Sequence, residues 1–242
     1  MSKNRVKTIL IVLIVLLLCL NVGVYAALSA TEVNYTKSSG TTVTVKAALD
    51  ELYTKVPTKA IGDEVTVGGE QFYVLNWDNN CNTVDLIAKY NLNTAGTAAG
   101  TAQQNAAYGA TACKFSSTNY WSSSFKSSPF NLNDFIGFTS TDALGKAKSY
   151  GRSKGAVSSR LLSYEEANAL KTKASSDTKI ETMLLGKENT NGYLRYWLGS
   201  ACNADFVWNM DGISSYLSIS LYDGSSGGGV RPVITVLKSK IS

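Results

Sequence analysis

A chain of 242 residues, 44% of them hydrophobic and 17% charged, has the length and apolar content to bury a sizeable core. It contains no histidine, which excludes Ser-His-Asp, Cys-His and histidine-ligated zinc chemistry in one step. Lys3, Arg5 and Lys7 supply three units of the +5 net charge, so the remainder is near neutral and nothing in it points to nucleic acid.

Residues 1–7 are basic, residues 9–20 form an unbroken apolar run, and the first acid is Glu32. This pattern predicts an export segment over residues 1–28. It is either a signal peptide cleaved after Val24-Tyr25-Ala26 or a retained transmembrane helix with the basic flank inside and the rest of the chain outside. Leucines precede Cys19 where a lipoprotein signal needs a small residue, and the segment lacks the processing Gly and early Glu of a type IV pilin helix.

Residues 29–60 read as a Ser/Thr-rich spacer leading into a short amphipathic helix. Val45, Ala48, Leu49, Leu52, Tyr53 and Val56 share one helical face, and Pro57 ends it. The main domain is expected over residues 61–242. It opens with IGDEVTVGGEQFYVLNW, residues 61–77, in which apolar alternation on both sides of Gly68-Gly69 predicts a hairpin. TVDLIAKY, residues 83–90, predicts a third strand, and the Ala/Thr/Gly/Gln-rich residues 93–112 a surface loop.

Asn119-Tyr120-Trp121 begins a segment marked by Phe125, Phe130, Phe135 and Phe138, and residues 139–150 are expected to form a short helix. In RLLSYEEANAL, residues 160–170, a buried strand end gives way to Ser163 with Glu166 three positions on, the signature of a capping box. Glu165 and Glu166 are therefore helix-start charges rather than a catalytic pair, since neighbours on a helix do not face one another.

Cys81, Cys113 and Cys202 are too dispersed for a C-x-x-C site. In an exported domain Cys81 and Cys113 have the option of a disulfide, the alternative being that all three stay reduced.

The closing stretch, residues 196–237, contains no Lys, Glu or Gln. Its ends, Tyr196-Trp197-Leu198-Gly199-Ser200 and Gly227-Gly228-Gly229-Val230-Arg231-Pro232, look rigid, while the middle mixes Asn, Ser, Asp, Tyr, Cys and Phe in short alternating segments. Strand parity groups Phe206 with Trp208, and Leu217 with Ile219 and Leu221, as inward residues. The expected exposed contacts are then Asp205, Asn209, Asp211, Tyr216, Ser218, Ser220 and Tyr222. Aromatics among small polar residues are the composition of a binding face.

Four blocks, residues 61–77, Tyr120-Trp121, RLLSYEEA at residues 160–167, and YWLGS…GGGVRPVITV at residues 196–236, resemble a family of bacterial surface and phage-associated domains. The resemblance implies an α+β fold, a C-type-lectin-like domain of the kind shared with formylglycine-generating enzymes. Such a domain has antiparallel strands, two helices and long loops, here preceded by the hydrophobic export helix. Within it Trp197, Arg231 and Pro232 would be scaffold, with Arg231 in a structural polar contact. The closing stretch is also similar to the variable ends of proteins diversified by adenine-mutating retroelements, whose variable positions never become Lys, Glu or Gln. Residues 201–224 are largely drawn from the permitted set, Trp208 and Met210 excepted.

The chain departs from better-known relatives. Trp208-Asn209-Met210-Asp211 only approximates a calcium-lectin Trp-Asn-Asp and no Glu-Pro-Asn or Gln-Pro-Asp accompanies it, so no metal is expected. Cys202 stands alone where formylglycine generation needs a cysteine pair. The expectation is a non-enzymatic, cell-surface binding domain without cofactor. Its partners would be an extracellular protein or glycan, and the membrane through its N-terminal helix. A structural or pilus-associated protein assembling through residues 45–56, and an enzyme built on Cys202 with Asp205 or Asp211, are the competing readings.

Overall fold

The computed structural model describes residues 34–36, 39–45, 47, 58–93, 95–98, 113–186, 194–212, 216–224 and 228–242. The expected export segment, most of the amphipathic helix and most of the Ala/Thr-rich loop lie outside them. Two compact units result, Met1–Pro57 and Thr58–Ser242. In the first, strands β1 (Asn34–Thr36) and β2 (Thr42–Thr44) pair antiparallel within the stretch expected to be spacer. No described helix is long and apolar enough to cross a membrane.

The second unit is mixed α+β with two antiparallel sheets. The Gly68-Gly69 turn joins β3 (Glu64–Val67) to β4 (Glu70–Trp77), with both glycines at positive φ, 56° and 78°, as a two-residue hairpin loop demands. Next comes β5 (Thr83–Ala88), and the sheet is completed by β11 (Pro232–Leu237) and β7 (Ser158–Leu161), in the order β3-β4-β5-β11-β7. Phe72-Tyr73-Val74-Leu75 and Val233-Ile234-Thr235-Val236 are nearly continuous apolar runs because both faces of this sheet are covered.

One face packs Phe72, Val74, Leu86 and Ile234 against helix α1 (Ala143–Ser153) and against Phe115, Trp121 and Trp197. The other packs Tyr73, Ile87 and Val233 against α2 (Tyr164–Ala174) and α3 (Thr178–Leu185). The described residues thus hold three helices where two were expected. Asp177 caps α3 through Lys179 N–H at 2.9 Å and Ile180 N–H at 3.4 Å, and Gly186 closes it in the left-handed region. The capping box of α2 forms as expected: Glu166 N–H donates to Ser163 Oγ at 3.2 Å, and Ser163 N–H donates to Glu166 Oε2 at 2.9 Å.

A four-stranded sheet, in the order β10-β9-β8-β6, carries the closing stretch. Its members are β6 (Phe130–Asn131), β8 (Arg195–Ala201), β9 (Phe206–Asp211) and β10 (Tyr216–Leu221). Cys81, Cys113 and Cys202 are free thiols, so the Cys81–Cys113 disulfide is not made. Cys81 sits on an exposed turn where its thiol donates to Asp78 Oδ2 at 3.2 Å, while the Cys113 backbone bridges to Gly228. The Asp78 carboxylate holds the Cys81 thiol above its ordinary pKa.

Candidate functional site

The site rests on β8, which is buried along almost its whole length. Trp197 is fully enclosed, donates from Nε1 to Cys113 O at 2.8 Å, and meets Phe115 edge-on at 5.7 Å. The glycine run passes so close to β8 that a Cβ on Gly228 would lie 2.9 Å from Trp197 N, and one on Gly229 2.4 Å from Asn91 Nδ2. Trp197 N–H donates to Gly229 O at 3.0 Å, and Gly229 N–H to Arg195 O at 2.9 Å. Only glycine fits that approach.

Arg231 follows at once and is fully buried. Its guanidinium donates to Ala88 O at 2.6 Å, Leu184 O at 3.3 Å and Lys89 O at 3.4 Å, and lies 5.0 Å from the Tyr196 ring centroid. Tyr196 in turn donates its hydroxyl to Leu184 O at 2.9 Å, and burial pushes that hydroxyl above the ordinary tyrosine pKa. Pro232 occupies the first position of β11, where a missing N–H is tolerated. These three scaffold candidates are enclosed at one junction of the two sheets.

The expected contact residues divide differently. β9 and β10 pair in the register Asp211↔Tyr216, Asn209↔Ser218, Val207↔Ser220, Trp208↔Ile219 and Phe206↔Leu221. Val207, Asn209, Ser218 and Ser220 share one face, buried or half-buried throughout. Of the residues expected inward on the other face, Trp208 and Leu217 pack on the second core cluster, whereas Ile219 and Leu221 are exposed. Asn209 is completely buried, so its expected exposure is corrected: its Nδ2 donates to Ser220 Oγ at 2.9 Å. Arg195 Nη2 also donates to Ser220 Oγ, at 3.3 Å.

Ser218 and Ser220 are half-buried. Tyr222 is half-buried too, packed edge-on against Trp121 at 5.7 Å, with its N–H donating to Asp205 O at 3.1 Å. Asp211, half-buried, lies opposite Arg195 in the ladder. Tyr216 opens β10, and its side chain is outside the described set. Among the expected contacts whose side chains are described, only Asp205 is exposed, on a turn where Asn203 Oδ1 accepts from the N–H groups of Asp205 and Phe206, both at 2.9 Å.

The face expected to be core is core at one end only and opens to solvent at the other. Ile219 and Leu221 are 42% and 48% exposed, side by side on β10. Opposite them Phe206 and Trp208 are half-buried, and Trp208 packs on Tyr164 at the start of α2 with ring centroids 4.4 Å apart. Further along the same face Met210 and Leu217 run under the helices into the second core cluster. The sheet therefore emerges from beneath α2 with an aromatic and aliphatic strip, edged by Asp205 and Asp223, both exposed. Parity showed that the two faces differ. The identity of the buried one depends on Trp121, Phe115 and Trp197 filling the space behind Val207.

Cys202, half-buried at the end of β8, donates its N–H to Phe206 O at 2.7 Å. Among the described residues no group of three His, Cys, Asp or Glu side chains is placed to hold a metal ion. No protein-family model matches the chain, and neither a curated protein nor a solved structure matches it.

Proposed function

We propose that this chain is an exported, surface-displayed binding module without catalytic activity, and that its contact face is the outer side of β9 and β10. The observation that carries the reading is the adjacent exposure of Ile219 and Leu221 beside Phe206 and the Trp208–Tyr164 pair. Large apolar side chains scattered singly are ordinary on a surface, but a contiguous strip on a sheet is a recognition surface. Rigid aromatics there provide area at small entropic cost, while Asp205 and Asp223 form a polar rim. The ligand is an extracellular protein or glycan, and the hydrophobic N-terminal segment places the module at the cell surface, anchored or released.

The fold reading remains the C-type-lectin-like one implied by the four sequence blocks. It is supported by two antiparallel sheets, helices packed on them, and the glycine-run junction beside Trp197 and Arg231. The proposal includes diversification of residues 201–224. It is tested by sequencing the 3′ end of the gene across a population of the source cells or phage. Substitutions should concentrate at outward positions such as Asp205, Phe206, Ile219 and Leu221, with Val207, Asn209, Trp197 and Arg231 constant. Variation spread evenly over buried and exposed positions would contradict a diversified receptor. A constant tail would remove diversification and leave the contact face to be tested by Ile219→Asp with Leu221→Asp.

A further inference from the structure

A second surface, on the edge of the five-stranded sheet, is built for a different chemistry. Helix α1 and strand β7 border a cavity of about 310 Å³ lined by Lys148, Gly151, Arg152, Val157, Ser158 and Ser159. Gly151 lets the helix lie directly on the strand, since a Cβ there would fall 2.2 Å from Ser159 Cβ, and Ser159 Oγ donates to Ala147 O at 2.6 Å. That contact fixes the height of the helix over the strand, and with it the positions of the two cations. Lys148 and Arg152 stand four residues apart on one helical face, the spacing at which like charges repel.

No carboxylate relieves them. Helix α1 contains no acidic residue, and the ion pairs among the described residues involve neither Lys148 nor Arg152. Arg152 donates one N–H to Ser149 Oγ at 3.2 Å, leaving the rest of its guanidinium fork available. A third cation stands nearby: Lys240 donates to Gly155 O at 2.7 Å on the loop that leads into the cavity. Lys154, by contrast, is neutralised by Glu70, which also accepts from Tyr150 Oη at 2.7 Å. A position in the last helical turn suffices to explain Arg152 alone. It does not explain Lys148 and a cavity between helix and strand.

We propose that this cavity binds a sulfate or phosphate ester group carried on an acidic polysaccharide. A guanidinium fork beside an ammonium matches the geometry of a tetrahedral oxyanion. The cavity is far larger than one such anion, and exposed Val157 offers an apolar wall for a sugar ring. The site is independent of the β9–β10 face, because it lies on β7 of the other sheet.

The test titrates the full chain with a size-defined heparin oligosaccharide, with neutral dextran and with inorganic sulfate, at two salt concentrations. Heparin should bind and dextran should not, with affinity falling as salt rises. Lys148→Gln with Arg152→Gln should weaken heparin binding at least tenfold at unchanged thermal stability. Lys126→Gln with Lys173→Gln, which removes the same charge from exposed positions elsewhere, should leave it unchanged. Equal losses in the two double variants, or no loss in the first, would overturn the proposal by reducing binding to net charge. Saturation by inorganic sulfate at the concentrations where the oligosaccharide saturates would overturn the polysaccharide assignment in favour of a free anion.

Discussion

The guanidinium of Arg231 is fully buried and donates to three main-chain carbonyls supplied by distant segments. Arg231→Met would keep much of the apolar stem but remove the guanidinium donor from Ala88 O and Lys89 O, while Leu184 O keeps the Tyr196 hydroxyl. Each unsatisfied buried group costs on the order of 1–3 kcal/mol, so a loss of about 2 kcal/mol or more in unfolding free energy is expected, read as a lowered urea midpoint. Arg231→Lys keeps the charge without the fork and should recover only part of it. At the surface, Lys179 donates to Asp63 Oδ1 at 2.9 Å, and this bond, helped by Ala60 N–H, holds the Asp63 carboxyl below its ordinary 3.8. The same contact raises Lys179 above 10.5. With folded pKa values displaced in these directions, the contribution of Asp63 is complete above pH 3.8 and lost as pH falls through its lowered value. That of Lys179 is complete below pH 10.5 and lost as pH rises through its raised value. Lys179→Ala should move the Asp63 titration, followed by NMR, upward toward 3.8. The family resemblance implies a polar structural contact for Arg231. Its acceptors are not legible in the sequence, because residues 88, 89 and 184 converge on it only in the folded chain.

At the scale of elements, what was legible is what is local. The Gly68-Gly69 hairpin and the Ser163–Glu166 box are each written within a few residues, and both form as expected. Helix α3 carried equivalent signals, an Asp177 cap, Ile180, Met183 and Leu184 on one face and Gly186 at its end, and was legible in principle. The orientation of β9 and β10 was not. Alternation assigns Trp208 and Ile219 to one face and Asn209 and Ser218 to the other, but an aromatic is as much at home on a recognition face as in a core. Ser163→Ala should destabilise the domain by about 1 kcal/mol through loss of the cap, read in the same urea assay. Gly145→Ala should be far worse, since its Cβ would lie 1.7 Å from Thr139 O. Moving α1 away from that carbonyl would also disturb Ala147 and Tyr150 in the core, and the expected outcome is loss of the cooperative unfolding transition.

For the whole molecule, the two proposed surfaces belong to different sheets and should respond separately. Ile219→Asp with Leu221→Asp, both exposed, should change stability by no more than about 0.5 kcal/mol for each substitution while removing ligand contact, and heparin binding should be untouched. The five-stranded sheet has a further consequence. Strand β11 lies inside it, hydrogen-bonded to β5 on one side and to the edge strand β7 on the other, although it follows both in chain order. Beyond it, Ser242 exchanges two backbone hydrogen bonds with Thr66, at 3.0 and 3.1 Å. A ribosome-bound chain that has emerged only as far as residue 231 has the β3-β4-β5 fragment of this sheet and an unpaired β7, and no way to close either core cluster. Folding must wait for residues 232–242, because pairings of such sequence separation form late. For the exported protein proposed above, that delay keeps the polypeptide threadable, so a translocation channel receives an open strand until residues 232–242 have been made.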